Sequence, residues 1–292
     1  MEKKKILAIG EIIWDVYPDK SVIGGAPLNF SAHASLCGAH SALISAVGDD
    51  KLGTDALCVL DSFGVCSDHV KTVNAPTGQC LVTLDKQGVP CYNVLKDVAY
   101  DSIELTSRDI EKINSQKYDA FYFGTLIQRN SVSRNAVKRI VDECRFEHTV
   151  CDVNLRRDCY DAESVELCLK SASILKISDE EEPELRSFGF YEPRGEELAD
   201  VARAICESYS NVKVVIITCG ADGAYAYDAR DGKEYRQAPI GDKVVSTVGA
   251  GDSFAAAWTV SFLRGEPVEM CMENAAKLSG FVVAHTEAVP RY

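Results

Sequence analysis

The sequence predicts one α/β domain, a parallel sheet covered on both faces by helices, with a small β excursion. Three observations carry this. Short apolar runs of strand length alternate with amphipathic stretches of helix length over most of the 292 residues. The strand-like runs are apolar throughout rather than alternating, as strands buried on both faces are. Only one region, residues 77–100, breaks the alternation.

In chain order, KKILAIG reads as the first strand, and PLNFSAHASLCG as a helix opening at Pro27 and stopping at Gly38. Proline is tolerated in a helix's first turn, and glycine suits its end. SALISAV is the next strand and TDALCVLDSFG a helix closing at Gly64. YDAFYFG, HTVCDVN, ASILKIS and VKVVIIT read as buried parallel strands, with SVSRNAVKRIVDECR, SVELCLKSA and EELADVARAICESY as helices between them. That rhythm specifies βαβ connections and a three-layer arrangement. The exception, TGQCLVTLDKQGVPCYNVLKDVAY, is two strand-like runs around Lys86-Gln87-Gly88, a hairpin that serves either as decoration or as a lid over the strand ends.

Composition narrows the function classes. The net charge of −13 disfavours nucleic acid and anionic membrane as partners. The twelve cysteines are scattered singly with no C-x-x-C pair, so neither a zinc cage nor a redox pair is suggested. MEKKKILAIG is too short in apolar residues for a signal peptide, and no run approaches the roughly 18 needed to span a membrane. A reducing cytoplasm is the expected setting, with most thiols as small buried hydrophobes. The five histidines show no ligand spacing and receive no role; Trp14 and Trp258 read as packing residues.

The most informative stretch is Ser246-Thr247-Val248-Gly249-Ala250-Gly251-Asp252-Ser253-Phe254, followed by a strongly helical AAAWTVSFLRG. Glycines just ahead of a helix leave backbone N–H groups available and let a ligand approach closely. With the positive end of the helix dipole they make an anion site. Asp252 would stand beside that anion, positioned to take a proton from an attacking hydroxyl. The plainer reading is a glycine turn with Asp252 as a capping acid, and spacing alone does not separate the two. There is no G-x-x-x-x-G-K-[ST] loop and no G-x-G-x-x-G after the first strand, so a nucleotide would be held some other way. Thr218-Cys219-Gly220-Ala221-Asp222-Gly223 is one candidate, or only a tight turn. Asp15 after the first strand and Gly24-Gly25-Ala26-Pro27-Leu28-Asn29 at the next helix could hold vicinal hydroxyls, or be ordinary strand-end and helix-start chemistry. Asp152, Asn154 and Arg156 are expected on one side of an extended chain, and Lys176 precedes an acidic cluster ending at Glu181. Glu181 could act on magnesium through water, although acids at a helix start more often answer the dipole.

Taken in this order, these segments resemble the ribokinase, or PfkB-type, family of carbohydrate kinases from about Ile6 to Pro290. The carriers are GGAPLNFSAHASLCGAHSALISAVGDDKLG and, more specifically, STVGAGDSFAAAW. The resemblance implies a ribokinase-like α/β/α sandwich with a mostly parallel sheet and a small β-sheet lid drawn from about 11–25 and 77–100. It implies ATP and Mg2+ as cosubstrate and cofactor, and transfer to a sugar hydroxyl. Asp252 would be the base and the amides of Gly249, Ala250 and Gly251 the anion hole. Asp15, Gly25, Asn29, Asn93 and Arg156 would meet the sugar. Lys176, Ser178, Thr218, Gly220, Gly223 and Asn274 would meet the nucleotide, with Glu181 reaching the metal through water. GEIIWDVYPDK, GGAPLN, DVNLR and KISDEE look most like bacterial fructokinases, which makes D-fructose to fructose 6-phosphate the expected reaction. A kinase of the same fold acting on 2-keto-3-deoxygluconate or a nucleoside, or a catalytically silent sugar-binding regulator, are the alternatives. A homodimer through the lid is open. Two positions depart from the pattern: Ser246 stands where the family has an Asp that helps bind a monovalent cation, and Glu287 where it has a Gly, so K+ dependence is placed in doubt.

Overall fold

The first strand sets the frame for the rest. β1 (Lys5–Ile9) turns Ile6 and Ala8 to one side and Leu7 and Ile9 to the other, all four buried. Two cores grow from that alternation, as the two-residue period of a strand requires. The computed structural model describes residues 3–84, 90–241 and 243–292. Among them, nine strands form one sheet in the order β13-β12-β11-β10-β9-β8-β1-β4-β5. Here β4 is His40–Gly48, β5 Cys66–Val73, β8 Ala120–Phe123, β9 His148–Asp152, β10 Ile174–Ser178 and β11 Val214–Thr218. These and β1 are mutually parallel; β12 (Ala224–Asp228) and β13 (Lys233–Gln237) close one edge antiparallel.

Helices cover both faces. α1 (Ala26–Leu36), α2 (Lys51–Ser62), α8 (Ala250–Leu263) and α9 (Val268–Val283) pack on the face of Ile6, Tyr122 and Ile216. α3 (Ser107–Gln116), α4 (Ser131–Glu143), α5 (Ala162–Ser171) and α7 (Leu198–Ser208) pack on the face of Leu7, Phe123 and Ile217, with the short α6 (Glu182–Ser187) beside them. The aromatic filling is dense: Phe30 of α1 stacks on Tyr122 with ring centroids 3.7 Å apart. Trp258, read as packing, is fully buried on α8. Every cysteine other than Cys91, whose side chain lies outside the description, is a free thiol. Among the described residues no helix is long and apolar enough to cross a membrane.

A second sheet of four strands stands apart, ordered β3-β2-β6-β7. β2 (Ile13–Val16) and β3 (Ser21–Gly24) are antiparallel, as are β6 (Gly78–Leu84) and β7 (Pro90–Val94), while β2 runs parallel to β6. The expected turn at Lys86-Gln87-Gly88 lies outside the described residues. The chain leaves β7 through a 3-10 turn at Ala99–Ser102, where buried Arg129 takes Asp101 through Nε and Nη2, both at 2.8 Å, and Leu95 O at 2.6 Å.

The large sheet fills outward from β1 in both directions, toward β4 and β5 one way and toward β8 to β11 the other. In an open parallel sheet the crevice beyond the carboxyl ends at such a reversal is where ligands bind. The small sheet begins there, since β2 follows β1 by only three residues.

Candidate active site

At the end of β1 the backbone passes so close to α1 that a Cβ added to Gly10 would fall 2.1 Å from Pro27 Cγ. Glu11 follows, 4% exposed, and its Oε1 accepts from Ala26 N at 3.1 Å. Gly25 caps α1 with φ +112°, in the region that favours glycine. One turn into α1, buried Asn29 donates through Nδ2 to Asp252 Oδ2 at 2.8 Å, while its Oδ1 is buried without a partner.

Asp252 sits in the first turn of α8, whose cap Gly249 has φ +80°. A Cβ there would lie 2.5 Å from Ala288 O, so both dihedral and space call for glycine. The first amides of a helix have no intrahelical partner. Of the expected trio, the Ala250 amide is already turned toward Thr247 O at 3.2 Å. Lys176 of β10 lies beneath the turn, its Nζ 3.4 Å from where a Gly251 Cβ would be. That ammonium is 5% exposed and meets both oxygens of Asp152 at 2.9 Å, across a register that sets the two residues opposite each other.

The electrostatics follow from burial. Burial lifts the Asp252 carboxyl above the ordinary Asp range, against the opposing pull of the Asn29 donor, Arg156, Lys176 and His33. Burial also lifts Glu11, to about 7. Asp15 on β2 is raised in the same way, with Arg156 and the Cys80 thiol opposing. Lys176 stays protonated: burial works against its charge, but Asp152, Glu181 and Asp252 outweigh it. Exposed Arg156 makes no ion pair among the described residues, yet its charge reaches Glu11, Asp15 and Asp252.

The nucleotide-side candidates line neighbouring strand ends. Glu181 accepts from Leu155 N at 2.6 Å through Oε1 and from Ser178 N at 2.8 Å through Oε2, tying the loop after β9 to the end of β10. With both oxygens engaged, a water-mediated link is the fitting one for a metal. No cluster of three metal-binding side chains exists among the described residues. Thr218 ends β11, and Gly220 (φ +50°) and Gly223 (φ +90°) shape the turn into β12. An added Cβ at Gly220 meets nothing within 4 Å, whereas one at Gly223 would strike Gln237 O at 2.1 Å.

Two expectations change. The chain does not run extended from Asp152 to Arg156, because Asn154 takes φ +45°; Asp152 is buried and Arg156 exposed. Asn93 pairs with Leu81, one residue out of step with Cys80, which pairs with Asp15. Residues alternate between faces along a strand, so Asn93 points to the face opposite Asp15. Asn274 on α9 donates to Ser261 Oγ at 3.1 Å and Glu266 Oε2 at 2.9 Å, near the far end of α8. Asp252 to Ser261 is nine residues, about 14 Å of helix. Sequence reasoning also missed Glu11 and His33. Both lie inside stretches that carry the resemblance, but nothing in their spacing sets them apart; His33 stands one turn beyond Asn29 on α1 and is held by Ala288 O at 2.9 Å and Tyr292 Oη at 3.1 Å. Two surface cavities, of about 540 and 600 Å³, lie elsewhere, beside Arg230 and Phe262 and between α4 and α5; their mixed-charge linings lack the convergent groups of the strand-end cluster.

A doubly covered parallel sheet, a small second sheet at its switch point and a glycine-started helix carrying a partly buried carboxylate define a ribokinase-like protein. The chain belongs to the pfkB family of carbohydrate kinases, whose model matches residues 4–290. It is thus a phosphotransferase of the class that uses a sugar hydroxyl as acceptor. It is 24% identical to an ATP-dependent 6-phosphofructokinase of Thermoanaerobacterium thermosaccharolyticum, over 99% of this chain and 90% of that protein. It is 27% identical to probable fructokinase-5 of Arabidopsis thaliana, over 88% and 82%. Among solved structures it resembles a putative ribokinase II of E. coli in complex with ATP and Mg2+, with a TM-score of 0.82, 20% identity and coverage of 98% and 94%.

Proposed function

We propose that this carbohydrate kinase transfers the γ-phosphoryl group of ATP to the 6-hydroxyl of D-fructose. The observation that carries the reading is the Asn29–Asp252 pair. A partly buried carboxylate is held at the start of a glycine-capped helix, directly above a buried ammonium. Asp252 takes the proton of the attacking hydroxyl, and its raised proton affinity makes it the stronger base. The opening turn of α8 and Lys176 face the transferring phosphoryl group with positive potential, while Asp152 fixes the ammonium. Asp15, Gly25 and Asn29 receive the sugar, with Arg156 the cation nearest them. Ser178, Thr218, Gly220 and Gly223 border the nucleotide, and the small sheet covers the crevice as a lid. Glu181 would meet Mg2+ through water, and the ion would supply charge neutralisation on the phosphates of ATP.

Fructose is favoured by the likeness to the Arabidopsis probable fructokinase. The likeness to a 6-phosphofructokinase makes a phosphorylated sugar the first competitor. The test is ADP release by purified protein with Mg-ATP and fructose, fructose 6-phosphate, ribose, tagatose, 2-keto-3-deoxygluconate or adenosine. Clear preference for fructose is expected. Turnover of another acceptor would keep the chemistry and replace the substrate; binding of sugar without ATP consumption would establish a silent binder.

A further inference from the structure

α1 begins without the usual means of satisfying a helix N-terminus. Its cap is Gly25, which has no side chain to accept from the first turn, and that turn contains no acidic residue. The acceptor comes instead from the loop between β1 and β2: Glu11 Oε1 takes Ala26 N at 3.1 Å. The fit leaves little room for another arrangement, since added Cβ atoms would lie 2.4 Å from Glu11 O at Gly25 and 2.1 Å from Pro27 Cγ at Gly10. The next helical turn delivers Asn29 to Asp252. A carboxylate buried to 4% exposure therefore stands two links from the base, at the root of the loop that receives the sugar.

We propose that Glu11 is a positioning residue for phosphoryl transfer: its buried carboxylate seats the first turn of α1 and so aims Asn29 at Asp252. The inference rests on reading Asp252 as the base. The titratable groups around Glu11 are Arg156 from the loop after β9, Asp252 from α8, Tyr100 from the 3-10 turn and Tyr122 from β8. Arg156 favours its ionised form and Asp252 disfavours it. The seat needs only the oxygen that accepts from Ala26 N, which Glu11 offers whether protonated or ionised.

Two substitutions in the full chain separate the roles. Glu11→Gln keeps an oxygen for Ala26 N and removes the charge; Glu11→Ala removes both. Glu11→Ala is expected to lower kcat/KM roughly tenfold or more, with Glu11→Gln recovering most of the loss. In Glu11→Ala the acid limb of the kcat profile should move to higher pH, because Asp252 loses the aimed Asn29 donor that favours its ionised form, while Glu11→Gln should keep the wild-type limb. Carboxyl 13C NMR reads the same shift in the Asp252 titration midpoint without turnover, and Glu11→Leu, which fills the space without an acceptor, serves if the alanine variant does not fold. A folded Glu11→Ala or Glu11→Leu with wild-type kcat/KM and a wild-type Asp252 midpoint overturns the proposal. A shared loss of thermal stability with unmoved profiles would reduce Glu11 to a structural cap. Near-normal turnover by Asp252→Asn is a separate result, which removes the base and not the seat.

Discussion

Asp252 is placed at a cost to the fold. Its proton affinity is raised by burial, so keeping it ionised at neutral pH opposes folding. With the folded-state pKa above the unfolded value, the stabilising contribution exists at low pH and is lost as pH rises through the folded pKa. Asp252→Asn removes that penalty, and the amide can still meet Asn29. The variant is expected to lose a factor of about 10²–10⁴ in kcat. Its Tm at neutral pH should equal or exceed the wild type's by about 1–3 °C, a stability gain bought with activity. Turnover assays and thermal melts check both; a large fall in Tm would mean that the carboxylate braces the fold instead. Below the raised Asp252 pKa the wild-type rate should fall, because the base is then protonated.

α8 has a specialised start and an ordinary end. Gly249 and Gly265 flank it with the same φ of +80°, but only Gly249 has a neighbour, Ala288 O, within reach of an added Cβ. Gly265→Ala should therefore cost only the left-handed conformation, about 1 kcal/mol, and leave turnover unchanged. Gly249→Ala adds a collision with backbone and should cost about 2 kcal/mol or more, with a fall in kcat as the turn shifts off Lys176. Denaturant melts and kinetics on the two variants make the comparison. This contrast was only half legible in the sequence. Glycine before a helix announced a ligand turn, but the role of Ala288 lies 39 positions away and has no local signal. Asn93 shows the same limit at a strand: a hairpin can be read from composition, whereas the face a residue takes depends on register.

The α8–α9 hairpin returns the C-terminal loop to the site. Val245 N and Ser246 N donate to Val283 O at 2.7 and 3.2 Å, and Gly249 abuts Ala288. The two positions that depart from the family pattern, Ser246 and Glu287, thus belong to one pair of adjoining segments. Ser246 offers a neutral hydroxyl, whose Oγ accepts from Val248 N at 3.2 Å. Glu287 is held below the usual carboxylate range by its own backbone and Thr286. We expect K+ in place of Na+ to change turnover less than about twofold, since a hydroxyl compensates a cation far less than a carboxylate does. A several-fold K+ activation in a paired-salt assay would instead mean that the segments assemble a cation site without the acid at 246.

The sequence by itself determined the layered α/β fold and the glycine-flanked Asp252. Periodicity, apolar runs and helix-start chemistry are local properties, written within a dozen residues. Only the tertiary structure decided what surrounds the base. Asn29 lies 223 positions from Asp252, and Lys176 faces Asp152 through strand register. Glu11 becomes a helix cap because Gly10 lets β1 approach α1. Burial, which raises the proton affinity of Glu11 and Asp252, is a property of the packed whole and has no expression in the order of residues.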